Sequence, residues 1–113
     1  MNYAIVTTDD FDKKVKTLFK KYFSLLDDLV FFKKELLKNP KMGDNLGDNI
    51  RKVRMAIASK NKGKRSGARV ITCTVLVDVI NTDIYLLTIY DKGEQDNISK
   101  KEIEHLKRIN GLV

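Results

Sequence analysis

The chain of 113 residues has one cysteine, Cys73, and one histidine, His105. A lone cysteine excludes an internal disulfide, and with a single histidine beside it a Cys/His metal centre is not expected. No cofactor is expected either. There is one proline, Pro40, so long proline-rich linkers are absent. No apolar run reaches the roughly 18 residues that a membrane span requires. The first ten residues, MNYAIVTTDD, lack the basic start and long apolar stretch of a secretion signal. A cytoplasmic, membrane-free location is the expectation, with residues 1–113 as a single domain, since two cores of half this size would each be marginal.

What the chain has in excess is positive charge in one place. Residues 51–69 carry eight basic side chains and no acidic one: Arg51, Lys52, Arg54, Lys60, Lys62, Lys64, Arg65 and Arg69. The whole chain has 22 Lys/Arg against 15 Asp/Glu. Without those eight, 14 basic groups face 15 acidic ones, so nearly all of the net +7 belongs to this segment. Charge focused in this way attracts polyanions and speeds their encounter. A phosphate backbone, an acidic protein, or both, are the expected partners.

Hydrophobic periodicity gives the elements. Residues 3–7 read as a short strand, followed by capping oxygens at Thr8, Asp9 and Asp10. Phe11, Val15, Leu18, Phe19 and Tyr22 then fall on one helical face. Ser24 and Asp27 resemble a capping box for a second helix. Its Leu25/Leu29/Phe32/Leu36 stripe has a neighbour in Leu26/Val30/Leu37, and this wide face predicts burial against both a sheet and the first helix. Pro40 ends that helix, and residues 39–49 read as a loop. Val53, Met55 and Ile57 alternate with Arg54, Ala56 and Ala58, a strand with Arg54 on its polar face. Residues 59–66 read as a polar hairpin loop, 67–78 as a second strand of this group, and the apolar 84–90 as a central third. Ser99 and Glu102 form a capping box for a last helix whose Ile103, Leu106 and Ile109 face inward. The expected fold is α+β, β-α-α-β-β-β-α, with the helices, including the two N-terminal ones, on one face of a mainly antiparallel four-stranded sheet.

This order, with a basic loop between two strands, resembles the RelE/ParE superfamily of bacterial toxins. Val53-Arg54-Met55-Ala56 and then 63–71, Gly-Lys-Arg-Ser-Gly-Ala-Arg-Val-Ile, are similar to its strand–basic loop–strand unit. Leu86-Leu87-Thr88-Ile89-Tyr90-Asp91-Lys92, followed by Asn97-Ile98-Ser99 and Glu102, resembles the strand–turn–helix stretch of RelE- and HigB-type members. The resemblance implies the toxin of a type II toxin–antitoxin pair, one that cuts mRNA in the ribosomal A site without a metal. It also implies a cognate acidic antitoxin, with operator DNA reached only through the toxin–antitoxin complex. A ParE-like inhibitor of DNA gyrase and a non-catalytic basic nucleic-acid-binding module stand beside it as alternatives. The last strand departs from the RelE pattern in carrying no arginine.

Cleavage of that kind uses the RNA's own 2′-hydroxyl as nucleophile, cations for the phosphorane charge, and a proton donor for the departing 5′-oxygen. Arg54 and Arg69 are the candidate cations, and Tyr90 and Lys92 candidates for proton exchange or phosphate contact. Lys60, Lys62, Lys64 and Arg65 are candidate electrostatic RNA anchors, and Arg51 and Lys52 read as no more than the approach to them. Arg69 shares parity with Ile71 and Cys73, an apolar set; a bulge near Gly67 would turn it towards Arg54, and without one it points the wrong way. Gly63-Lys64 is not a P-loop, because positions 58 and 65 hold Ala58 and Arg65. His105 reads as a surface residue beside the apolar stripe of its helix, and Cys73 as a small core side chain.

Overall fold

The computed structural model describes residues 1–60, 63 and 66–113. Its elements are β1 (Asn2–Thr7), α1 (Asp9–Lys21), α2 (Leu25–Lys38), β2 (Asp44–Gly47), β3 (Ile50–Met55), β4 (Ala68–Leu76), β5 (Asn81–Asp91) and α3 (Lys100–Ile109). The class is α+β as expected, but the sheet is mixed and has five strands, ordered β1-β5-β4-β3-β2. β1 runs parallel to β5, and every other pairing is antiparallel. No helix among the described residues is long and apolar enough to cross a membrane.

The extra strand is β2, which lies in the stretch expected to be loop. Asp48 and Asn49 sit at positive φ, 52° and 62°, and fold the chain back onto β3. Asn and Asp tolerate that region better than most residues, which suits them to a tight hairpin. All four β2 residues are exposed at the sheet edge, so no apolar alternation marks the strand.

α1 and α2 cover one face. Phe11 and Leu18 of α1 and Leu25, Leu29, Phe32 and Leu36 of α2 pack with Val53, Met55, Val70, Ile84, Leu86 and Ile89 of the sheet. Thr8 fixes where α1 begins: its Oγ1 accepts from the Phe11 N–H and points its own hydrogen at the carbonyls of Leu86 (2.9 Å) and Leu87 (3.1 Å). Only one apolar stripe of α2 is buried. Leu26, Val30 and Leu37 are exposed, contrary to the wide buried face expected, because the sheet meets α2 along the Leu25 stripe alone. The Ser24 cap also differs. Its hydroxyl makes no bond to the helix backbone, and instead pairs with the carboxylate of Asp28 and with Ser59.

α3 lies on the opposite face, a second correction to the expected one-faced layout. Ile103 and Leu106 pack with Ile50, Ile71, Cys73, Leu87, Tyr90 and Ile98. Ile109, expected to face inward, is exposed past the end of this contact. With β4 and β5 buried on both faces, their nearly continuous apolar runs are explained. The Ser99 cap is as expected, accepting from the Glu102 N–H.

Candidate functional site

Three strands set the site. In the sheet register Arg54 of β3 stands opposite Arg69 of β4, and Arg69 stands opposite Tyr90 of β5. Paired residues share a face, so the three side chains form one row on the α3 side of the sheet. Val53 and Met55 point the other way, into the α1/α2 core. Arg54 is exposed, whereas Arg69 is 6% and Tyr90 5% exposed.

Arg69 reaches this face with no bulge near Gly67, contrary to the expectation that it would then point the wrong way. Its parity with Ile71 and Cys73 presents no conflict, because the second face is itself apolar where α3 covers it. A bulge does exist, in β5. Ile71 pairs with Thr88 and Thr72 with Leu86, leaving Leu87 as the additional residue. Strict alternation from Leu86, which faces α1 and α2, would send Tyr90 into that same core. The additional residue reverses the parity, so Ile89 enters the α1/α2 core and Tyr90 joins Arg69.

Two further cations flank the row. Lys52, two residues before Arg54 on β3, shares its face, and Lys92 follows β5, with its N–H donating to the Gly67 carbonyl at 3.0 Å. The Lys92 ammonium binds the carboxylate of Asp96 at 2.6 Å and the Asp96 carbonyl at 2.7 Å. The bond from Lys92, its charge and the nearby charge of Lys52 hold the Asp96 carboxyl below its usual range. Lys52 and Asp96 are therefore site members that the sequence reading passed over. Lys52 was recoverable from its two-residue spacing to Arg54; nothing in the sequence tied Asp96 to it.

The Tyr90 phenol is pushed up chiefly by burial, opposed by the charge of Arg69 and reinforced by Asp96. Its hydroxyl is buried and has no hydrogen-bond partner among the described residues. Arg69 Nη1 donates to the Ala68 carbonyl at 3.2 Å.

Lys60 is placed elsewhere. Its ammonium donates to Asp91 Oδ1 at 2.7 Å and to the Ser66 carbonyl at 2.6 Å, closing the base of the basic loop. Asp91 also accepts from the Tyr22 hydroxyl and from the Gly93 N–H, and Lys21 lies 3.8 Å away. Burial pushes the Asp91 carboxyl up, but the bonds from Lys60, Tyr22 and Gly93 outweigh it and hold it at about 2. Lys60 is thus drawn into a half-buried ion pair that fixes the ends of β5, α1 and the loop. Lys62, Lys64 and Arg65 lie outside the described residues. His105 is exposed on α3, and Cys73 is buried with its thiol pushed up by desolvation, against the charge of Lys107.

No family model matches the chain. The site therefore stands on its own geometry. Two arginines paired in the register of adjacent strands bring like charges together, and like-charged cross-strand pairs destabilise a sheet. An anion between them converts the repulsion into charge-assisted hydrogen bonds. The row is suited to hold a phosphate group, with the protonated Tyr90 at its buried end.

Proposed function

We propose that this chain is a RelE/HigB-like toxin of a type II toxin–antitoxin module that cuts mRNA on the ribosome and so stops translation. The observation that carries the reading is the Arg54–Arg69–Tyr90 row. Arg54 and Arg69 grip the scissile phosphate and take up the charge of the phosphorane as the 2′-hydroxyl attacks. Tyr90, kept protonated by burial, supplies the proton to the leaving 5′-oxygen. The 2′-proton leaves to water or to a ribosomal group. Lys52 and Lys92 contact flanking phosphates, with Asp96 released from Lys92 as the RNA arrives. An acidic antitoxin silences the protein by covering the same cations.

The test is expression in cells with mapping of mRNA 5′ ends. The reading predicts growth arrest with breaks inside codons, relieved by Arg54→Ala. Arrest with a DNA-damage response and intact mRNA would assign the chain to gyrase inhibition instead. Salt-dependent RNA binding with neither effect would make it a binding module.

A further inference from the structure

Beside the row, where β1 stops at Thr7 and leaves the far end of β5 uncovered, a cleft of about 140 Å³ opens between α1, β5 and α3. Its inner wall includes the buried Thr88, Tyr90 and Ile98, and its rim includes Asp10, Glu102 and His105. The β5 bulge, which turns Tyr90 onto this face, also places Thr88 here, opposite Ile71. Two of these residues carry buried polar atoms that make no hydrogen bond among the described residues: the Tyr90 hydroxyl and Asp10 Oδ2. Lys14, which also lines the cleft, lies 3.7 Å from that oxygen and forms an ion pair with it. Buried polar groups left unsatisfied cost free energy, and they cluster where a ligand completes them.

We infer that this cleft is a nucleobase subsite that selects guanine. The inference rests on the nucleic-acid reading above and names what lies next to the phosphate. Tyr90 belongs to both the phosphate row and the cleft wall, so a nucleotide whose phosphate sits on Arg54 and Arg69 has its base at the cleft. Single-stranded RNA is read by splaying a base into such a pocket and bonding its edge. The chemistry of the rim favours one base. Asp10 and Glu102 are carboxylates, which only accept hydrogen bonds when ionised. Guanine alone presents two adjacent N–H donors, at N1 and N2, on its pairing edge, which match one carboxylate. Uracil and adenine place an acceptor beside their donor there, and cytosine offers a single amino group. The Tyr90 and Thr88 hydroxyls each donate or accept, and are free to serve the remaining ring nitrogen and carbonyl oxygen.

The experiment titrates the isotope-labelled full chain with the 5′-monophosphates of guanosine, adenosine, cytidine and uridine, following backbone amide shifts. All four share the phosphate, so differences report the base. Guanosine monophosphate is expected to bind about tenfold more tightly than the others, with the largest shifts at residues 10, 88, 98 and 105. Asp10→Asn, a near-isosteric change at an α1 position, is expected to bring the four affinities within about twofold, because it replaces one of the two acceptor oxygens that face guanine N1 and N2 with a donor. Equal affinities in the wild type, shifts confined to Arg54 and Lys52, or a preference that survives Asp10→Asn would overturn the subsite. Guanine binding by a protein that cuts no mRNA would leave the subsite standing and remove the nuclease reading.

Discussion

At the residue scale, Arg54 and Asp91 are opposites. Arg54 is exposed and faces another arginine, so its loss removes repulsion and little packing. Arg54→Ala is expected to change stability by no more than about 0.5 kcal/mol, measured by urea unfolding. The same variant is expected to lower RNA affinity and to reduce the slope of log affinity against log salt by about 0.7, the share of one contact to single-stranded phosphate. A slope unchanged within error would show that Arg54 meets no phosphate. Asp91, by contrast, is a buried carboxylate whose partners include the half-buried ammonium of Lys60. Removing it strands Lys60, so Asp91→Asn is expected to cost about 3–5 kcal/mol. The pH dependence has a definite sign. The folded carboxyl titrates at about 2, below its ordinary value of 3.8. Its contribution, about 2 kcal/mol, is therefore present above pH 3.8 and is lost as pH falls through 2. The gap in unfolding free energy between wild type and Asp91→Asn should narrow by that amount between neutral pH and pH 2. A gap independent of pH would contradict the network.

At the scale of elements, the bulge in β5 decides which residues meet. Thr8 anchors α1 to the two carbonyls beside it, those of Leu86 and Leu87. Thr8→Ala removes both the cap and this tie, and is expected to cost about 1–2 kcal/mol by thermal or urea unfolding. Gly67, just before β4, is tighter still: an added Cβ would stand 2.1 Å from the Met55 carbonyl oxygen. Gly67→Ala must displace β3 or β4 beside Arg69, and is expected to cost about 1–3 kcal/mol and to weaken RNA binding as well. A Gly67→Ala protein with wild-type stability would refute that contact. The elements were unequally legible. α1 and α3 announced themselves through periodic apolar faces and hydroxyl caps at Thr8 and Ser99. β2 did not, because Asp44, Asn45, Leu46 and Gly47 lie at an exposed edge where no core imposes a pattern. The bulge was invisible for a different reason: Leu86-Leu87-Thr88-Ile89 is apolar enough to suit both faces, and hydrophobicity alone cannot fix the parity there.

At the scale of the molecule, the sheet has unequal faces. One is closed by α1 and α2; the other is closed by α3 over the middle of β4 and β5 and leaves the Arg54 end open. The charge concentrated in residues 51–69 could be read from the sequence as a polyanion signal, but not how it divides. The fold turns Lys60 inward to Asp91 and leaves Arg54, Arg69, Lys52 and Lys92 around one patch, a division fixed by contacts distant in sequence. Proximity to Asp91, 31 residues further along the chain, is what draws Lys60 away from that patch. The central claim is that this patch cuts mRNA, and the most direct measurement uses purified ribosomes carrying an mRNA with an empty A site. Primer extension after adding the protein should reveal new 5′ ends within the A-site codon, with the rate falling about 100-fold in a folded Arg54→Ala variant. Intact mRNA with the wild-type protein, or undiminished cleavage by Arg54→Ala, would contradict it.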